Sequence, residues 1–197
     1  MQLKNYQILF ISITLIGVLL FASPTIALLI SAPTGEPFSV IYLLGPNHTF
    51  DNLPFNVKAG VVYSVYLGVT NYMGSSNYYT CSVKIASQND PLPDQTLGTA
   101  SPLIALYQYK TFLANGGTWE VPLTFEINSV SFANGASTIS DISINGLDYA
   151  VVKTSVYDSS RSGYYYNLFV ELSLYNSTLN SLIYNGRFVT LNLNVTQ

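Results

Sequence analysis

The side chains best suited to chemistry in this sequence are one histidine, His48, and one cysteine, Cys81. With Met1 and Met73 they are its only imidazole or sulfur donors, whereas a metal centre needs several such ligands converging. A cupredoxin-like copper site would need two histidines beside the cysteine. Serine catalysis would need His48 as its base, yet no Gly-x-Ser-x-Gly elbow presents a nucleophile. Among the carboxylates, Glu120 and Glu126 come nearest to a glycosidase pair. Six residues along one strand face separate them by about 20 Å, too far for such a pair. Gly116-Gly117 belongs to a turn and not to a phosphate loop. His48 therefore reads as an exposed turn residue, Cys81 as a buried apolar thiol, and both glutamates as solvated strand charges. We assign no catalytic, cofactor-binding or metal-binding residue and expect no enzymatic activity.

The elements that carry these residues are strands. Tyr79, Cys81, Val83 and Ile85 alternate with Tyr78, Thr80, Ser82 and Lys84, and Trp119, Val121, Leu123, Phe125 and Ile127 alternate with Glu120, Pro122, Thr124 and Glu126. Period-two alternation marks half-buried strands. Leu168 to Leu174 and Val189 to Val195 repeat the pattern, and the second register turns Asn194 toward water. Pro122, lacking an N-H, places its strand at a sheet edge or beside a bulge. Further strands are expected over residues 38–44, 61–69, 103–113 and 147–156, about eight in all. Asn115-Gly116-Gly117, Asn134-Gly135, Asn145-Gly146 and Asn185-Gly186 supply the positive φ angles of tight turns. Residues 87–102, with three prolines, and 128–146, rich in Ser and Asn, read as surface loops or crossovers. The economical fold is all-β, an immunoglobulin-like antiparallel β-sandwich over residues 38–197.

A different kind of sequence precedes it. Asn5 to Gly35 runs 31 residues without a charge, and most of it is the apolar stretch 6–30. A bilayer core needs roughly 20 apolar residues in a helix. We read residues 1–5 as a cytoplasmic N-terminus, 6–30 as a single transmembrane helix acting as a signal anchor, and 31–37 as a linker broken by two prolines and a glycine. Lys4 is the only basic side chain before Lys58, which by the positive-inside rule leaves the remainder outside the cell. A signal peptide cleaved near Thr25 to Ala27 is the rival reading; Leu28, Leu29 and Ile30 carry the apolar run past that point and favour the anchor.

Composition is consistent with an exported domain whose surface is neutral. Charged residues make up 9% of the chain, against about 25% in an average soluble protein. Seventeen Asn and 16 Tyr stand against seven Lys plus Arg, so polarity comes from uncharged hydrogen-bonding groups, and nothing offers a basic footprint for nucleic acid. Asn47, Asn176 and Asn194 each open an Asn-x-Ser/Thr sequon, making them glycosylation candidates. Tyr164, Tyr165 and Tyr166 form the candidate aromatic contact surface, since rings on an outer face stack on sugars or pack on a neighbour. A lone cysteine excludes an intrachain disulfide.

The phrase Tyr42-Leu43-Leu44-Gly45-Pro46-Asn47, followed by Asp51 to Val57, resembles the archaeal membrane-protein family known as domain of unknown function 1616. Tyr63 to Asn71 resembles that family's strand ending in a V-G-V-x-N phrase, and Gly117 to Phe125 its G-x-x-W-x-x-P-(hydrophobic)-x-F phrase, so the likeness spans roughly residues 30–196. Many members carry several helices ahead of this domain, and the sequence here shows one. The resemblance implies an archaeal source, a β domain held outside the membrane, and no catalytic residues.

Together these observations describe a non-enzymatic, membrane-anchored module of the cell envelope that contacts membrane lipid through its helix and envelope proteins or glycans through its β domain. The alternative is a signal-peptide-cleaved subunit of an extracellular filament, assembled when residues 38–44 complete a neighbour's sheet. Charge scarcity gives a test of environment. Full protonation of the ten carboxylates moves the formal charge from -3 to +7, or +8 with His48, which is modest self-repulsion, and few paired carboxylates exist for acid to disrupt. Circular dichroism of the β domain is expected to show the fold retained near about pH 3; unfolding there would refute this expectation.

Overall fold

The computed structural model describes residues 3–30 and 36–197 and divides the chain into two units, residues 1–37 and 38–197. The first holds helix α1, Leu3–Ile30, 28 residues with Lys4 as its one charge. Its described side chains, Phe10 and Phe21 among them, are exposed. Thr14 returns its hydroxyl to the Phe10 carbonyl at 2.8 Å, the usual way an apolar helix accommodates threonine. Among the described residues no helix is long and apolar enough to cross a membrane, so the expected span over 6–30 is not established by the structure. Of the expected linker 31–37, residues 31–35 lie outside the described residues.

The second unit is a two-sheet β-sandwich of ten strands: β1 Phe38–Leu44, β2 Asn56–Lys58, β3 Val62–Tyr72, β4 Asn77–Ala86, β5 Tyr107–Leu113, β6 Thr118–Ala133, β7 Ala136–Ile144, β8 Leu147–Val156, β9 Tyr164–Asn176 and β10 Ser181–Thr196. One sheet runs β1-β3-β6-β7-β8 and the other β2-β10-β9-β4-β5. All pairings are antiparallel except β2 with β10. The inward faces read from the sequence reach the core, but the opposite faces of β4 and β9, read as wettable, are covered too: Thr80, Ser82, Lys84, Phe169 and Glu171 are buried. Val65, Leu67, Leu123, Phe125 and Ile127 from one sheet meet Tyr79, Cys81, Val83, Ile85, Leu168, Val170, Leu172 and Leu193 from the other in a single core.

Three further expectations fail, each where the backbone leaves regular alternation. Residues 128–146 are not a loop, because β6 runs on to Ala133 and turns at Asn134-Gly135 into β7. Register shifts at residues 127–130 of β6, and opposite Ile139 to Asp141 of β7, break the period. Ile139 and Ile142, three apart, both reach the core in consequence. Asn185-Gly186 is no turn either: Gly186, at φ 69°, lies at the irregularity between Tyr184 and Arg187 inside β10, the bulge use of a positive-φ glycine. Pro122 does not mark an edge strand, since β6 is central in its sheet. It is tolerated because its half of β6 is paired by β3 alone; the β7 ladder begins only at Phe125 opposite Ile144.

Inward-facing tyrosines join the two sheets. Tyr79 on β4 donates to Asn71 Oδ1 and pairs with Ser39 Oγ, both at 2.9 Å. Tyr109 on β5 donates to the Pro122 carbonyl at 2.8 Å and accepts from Asn145 Nδ2 at 2.6 Å. Tyr166 on β9 pairs with Ser137 Oγ and donates to the Ser137 carbonyl, both at 2.7 Å. Asn71 is fully buried and uses both ends of its amide, donating to the Ser75 and Leu113 carbonyls and accepting from the Met73 N-H.

The outer face of the second sheet holds a buried ion pair, Lys84 Nζ to Glu171 Oε2 at 2.5 Å. The 87–102 loop closes over it, with Ser101 accepting from Lys84 through its carbonyl and donating its N-H to Glu171 Oε1. Burial alone would raise the Asp90 carboxyl, but Lys153 and the Ser87 hydroxyl and N-H outweigh it and hold the carboxyl below its ordinary range. Its contribution is present above the ordinary carboxylate range and is lost as pH falls through the folded value.

The tyrosine bonds carry two expected outcomes. Tyr166→Phe and Tyr109→Phe should each cost about 1–3 kcal/mol by leaving buried acceptors or donors unpaired, while Tyr175→Phe, whose hydroxyl bond to Asn180 is exposed, should stay within about 0.5 kcal/mol; urea midpoints at constant slope measure both. Burial pushes the Tyr109 hydroxyl up to about 12 from 10.0. The unfolded chain therefore releases that proton first, and stability should fall as pH rises across this window.

Candidate functional site

The turn after β1 brings together residues that sequence reasoning kept apart. Gly45 donates its N-H to the Thr49 carbonyl at 2.7 Å, and His48 donates its N-H back to the Gly45 carbonyl at 3.0 Å. His48, at φ 56°, is thereby folded back over the outer face of the first sheet. A Cβ on Gly45 would lie 2.0 Å from the Asp51 carbonyl oxygen, so only glycine closes this turn. The imidazole stacks on Tyr66, centroids 3.9 Å apart and planes 26° apart, while Nδ1 pairs with Glu120 Oε1.

Register explains how Glu120 comes to be there. Tyr42 on β1, Gly68 on β3 and Glu120 on β6 form one cross-strand row. With no side chain at Gly68, the Tyr42 ring lies across it, and a Cβ there would meet Tyr42 Cζ at 2.0 Å. The Tyr42 hydroxyl donates to Glu120 Oε2 at 3.4 Å. Burial, then the Glu120 charge and its hydrogen bond, raise the Tyr42 hydroxyl above its ordinary value. Glu120 is thus not a free strand charge and His48 not an unattached turn residue. Two aromatic rings, an imidazole and a carboxylate form one polar-aromatic patch beside the Asn47 sequon. Glu126 remains separate from it, opposite Val62 and Ser143.

The tyrosine triplet divides. Tyr166 is fully buried and belongs to the core. Tyr165 is 9% exposed; the Arg161 guanidinium lies 4.1 Å from its ring centroid, and its hydroxyl donates to the Arg161 carbonyl at 2.5 Å. Tyr164 packs edge-on against Phe132 and Tyr157. The expected contact surface of Tyr164, Tyr165 and Tyr166 is therefore not an exposed aromatic face, because alternation sends the middle ring outward and the strand's neighbours then cover it.

The three sequons also differ. Asn47 is exposed on its turn. Asn176 accepts from the Thr178 and Leu179 N-H groups through Oδ1 at the tip of the β9–β10 hairpin. Asn194 does not simply face water: it is half-buried, accepts from the Tyr164 N-H, and donates Nδ2 to Asn56 Oδ1 at 2.9 Å. The atom a glycan would occupy is engaged there.

Cys81 is fully buried, and burial pushes its thiol up to about 12. Among the described residues no group of three or more His, Cys, Asp or Glu side chains could hold a metal ion. Cavities open on the β unit. One, of about 380 Å³, is lined by apolar groups of Pro102, Leu103, Ile104, Leu106 and Val152; another, of about 330 Å³, lies between Gln88, Asp158, Arg161 and Tyr165. In the second, hydrogen bonds from Ser160 and Arg161 lower the Asp158 carboxyl to about 2.

No family model matches the chain, and no curated protein matches it. Solved structures similar to it include the CARDB domain of a Pyrococcus furiosus protein, at 11% identity and TM-score 0.40 over 81% of this chain and 95% of that one. Another is the ASH/PapD-like domain 7 of human CEP192, at 8% identity and TM-score 0.34 over 85% and 89%. A β-glucosidase from Listeria innocua, in complex with gluconolactone, is similar at 10% identity and TM-score 0.40 over 81% of this chain but 16% of its own. Likenesses this remote assign no activity, ligand or partner.

The turn geometry sets the expected behaviour of a variant. Gly45→Ala should destabilise the β unit by about 1–3 kcal/mol, the usual cost of overpacking, and release His48 from Tyr66. Thermal denaturation together with the loss of ring-current shifts on the His48 protons checks both; an unchanged melting point would contradict the role given to Gly45.

Proposed function

We propose that the chain is a non-enzymatic, membrane-anchored module of the cell envelope, with its N-terminus in the cytoplasm and an immunoglobulin-like β-sandwich displayed outside. The observation that carries this reading is the uncharged run of residues 5–35 in the sequence, set ahead of a β unit that has a complete core of its own. The resemblance of residues 30–196 to domain of unknown function 1616 supports the same placement.

The β unit suits display and contact better than chemistry. Its polar groups are mostly amides and hydroxyls, and its one histidine is engaged with Tyr66 and Glu120. The Tyr42–His48–Tyr66–Glu120 patch, beside the Asn47 sequon, is the surface we assign to envelope proteins or glycans, because aromatic faces rimmed by hydrogen-bonding groups match sugar rings. In the alternative, a filament subunit, the N-terminal segment is removed and β1 is donated to a neighbour. That route must release the seven-residue ladder of β1 with β3.

N-terminal sequencing of native protein distinguishes the two readings: an intact Met1 is expected, and a mature start between Leu28 and Pro37 would overturn the anchor. Glycopeptide mapping of the same material should find Asn47 occupied and Asn194 bare.

A further inference from the structure

One end of the sandwich, with Glu36 just ahead of β1 as the charge nearest to it in sequence, has no charged side chain in its strand ends and turns. It gathers the start of β1, the β3–β4 turn, the β5–β6 turn and the β9–β10 hairpin tip, as the register requires: Phe38 opposes Tyr72, Asn77 opposes Leu113, Thr70 opposes Thr118 and Asn176 opposes Ser181. Asn71 joins two of these turns, donating to the Leu113 carbonyl and accepting from Gly116 through its own carbonyl at 2.6 Å. Asn185 Nδ2 donates to Ser39 Oγ at 3.3 Å, joining the sheets at the same end. The segments that build it, residues 37–50, 59–83, 111–119 and 172–186, contain no Asp, Glu, Lys or Arg. The opposite end carries Asp51, Lys58, Asp90, Asp94, Asp158 and Arg161.

This end also exposes apolar side chains. Phe112 and Leu179 are 68% and 64% exposed, and Phe38, Tyr72, Tyr175 and Leu182 are each more than 40% exposed. Phe38 and Tyr72 pack together with centroids 4.9 Å apart. The turns at this end carry Ser75, Ser76, Asn115 and Thr178, with Asn77 opening β4, neutral groups that hydrogen-bond without the desolvation cost of an ion. Aromatic rings mixed with neutral polar groups are the composition of a membrane-water interface. The chain also enters the β unit at this end, through Phe38.

We propose that this uncharged end is a lipid-facing surface that rests Phe38, Tyr72, Phe112, Tyr175, Leu179 and Leu182 in the headgroup region of a bilayer. The inference rests on the anchored reading above. It further implies that Asn176, at the hairpin tip, carries no glycan, since a glycan there would hold the tip off the lipid.

The test uses the full-length chain in phosphatidylcholine nanodiscs. Single cysteines are introduced by Phe112→Cys or Leu179→Cys at the uncharged end and by Phe50→Cys or Leu97→Cys elsewhere on the surface, and are labelled with the polarity-sensitive dye NBD. The native thiol does not compete, because Cys81 is fully buried. Labels at 112 and 179 should be blue-shifted, several-fold brighter and quenched by lipid-borne spin labels, while those at 50 and 97 stay water-like. Retention of the chain in the disc fraction reports separately on the anchor. A retained chain with all four labels water-like overturns this inference and leaves the anchor standing; a chain that does not enter discs overturns both. A blue shift seen only with two copies per disc overturns it in favour of self-contact, and a glycan at Asn176 in native protein also overturns it.

Discussion

Three tyrosine hydroxyls crossing from one sheet to the other are the interaction on which the rest of this structure depends. Tyr79, Tyr109 and Tyr166 stand on the inner faces of β4, β5 and β9, and each delivers its hydroxyl to a backbone or side-chain partner on the opposing sheet. A β-sandwich core of aliphatic side chains packs well but leaves the relative slide of its sheets weakly specified, because dispersion contacts have little directionality. A buried hydroxyl has one good direction and is costly when unpaired. These bonds fix how the sheets lie on each other, and with them which residues meet at each end.

Asn71 extends that constraint into the loops. Its amide collects the β3–β4 turn and the end of β5, and its backbone bonds Gly116 and Gly117 of the next turn. The ends of both sheets are tied without an ion pair, so this end of the sandwich can remain uncharged. At the other end the chain uses charge: Lys84 and Glu171 are sealed beneath Ser101, and Lys153 meets Asp90 at 2.9 Å. Two of the ion pairs are therefore placed where a long loop must be held down.

The same economy protects the sheet margins. β8 ends its sheet and would offer a free edge for pairing, but Gln88 covers the Val156 backbone on both its N-H and its carbonyl. A register shift beside Lys153 breaks the edge further. β2, three residues long and parallel to β10, closes the margin of the other sheet as a short edge.

Alternation by itself determined the inner faces of β4, β9, β10 and the first half of β6, because a period of two leaves one choice of which side faces the core; the expected runs 38–44 and 147–156 match β1 and β8, and the Asn-Gly dipeptides marked the turns at Asn134 and Asn145. The apolar stretch 6–30 likewise declared itself through composition. Tertiary structure decided what alternation cannot encode. Bulges in β6 and β10 break the period, so β7 read as a loop and Asn185-Gly186 as a turn. Pro122 sits in a central strand because its half of that strand has one partner, a fact of sheet order. Tyr165 and Asn194 looked exposed until neighbouring segments covered them. His48 and Glu120, 72 residues apart, met only because Gly45 folds one turn across a row set by the register of three strands. Local sequence specifies which face a residue takes; what stands opposite it depends on pairings between distant segments.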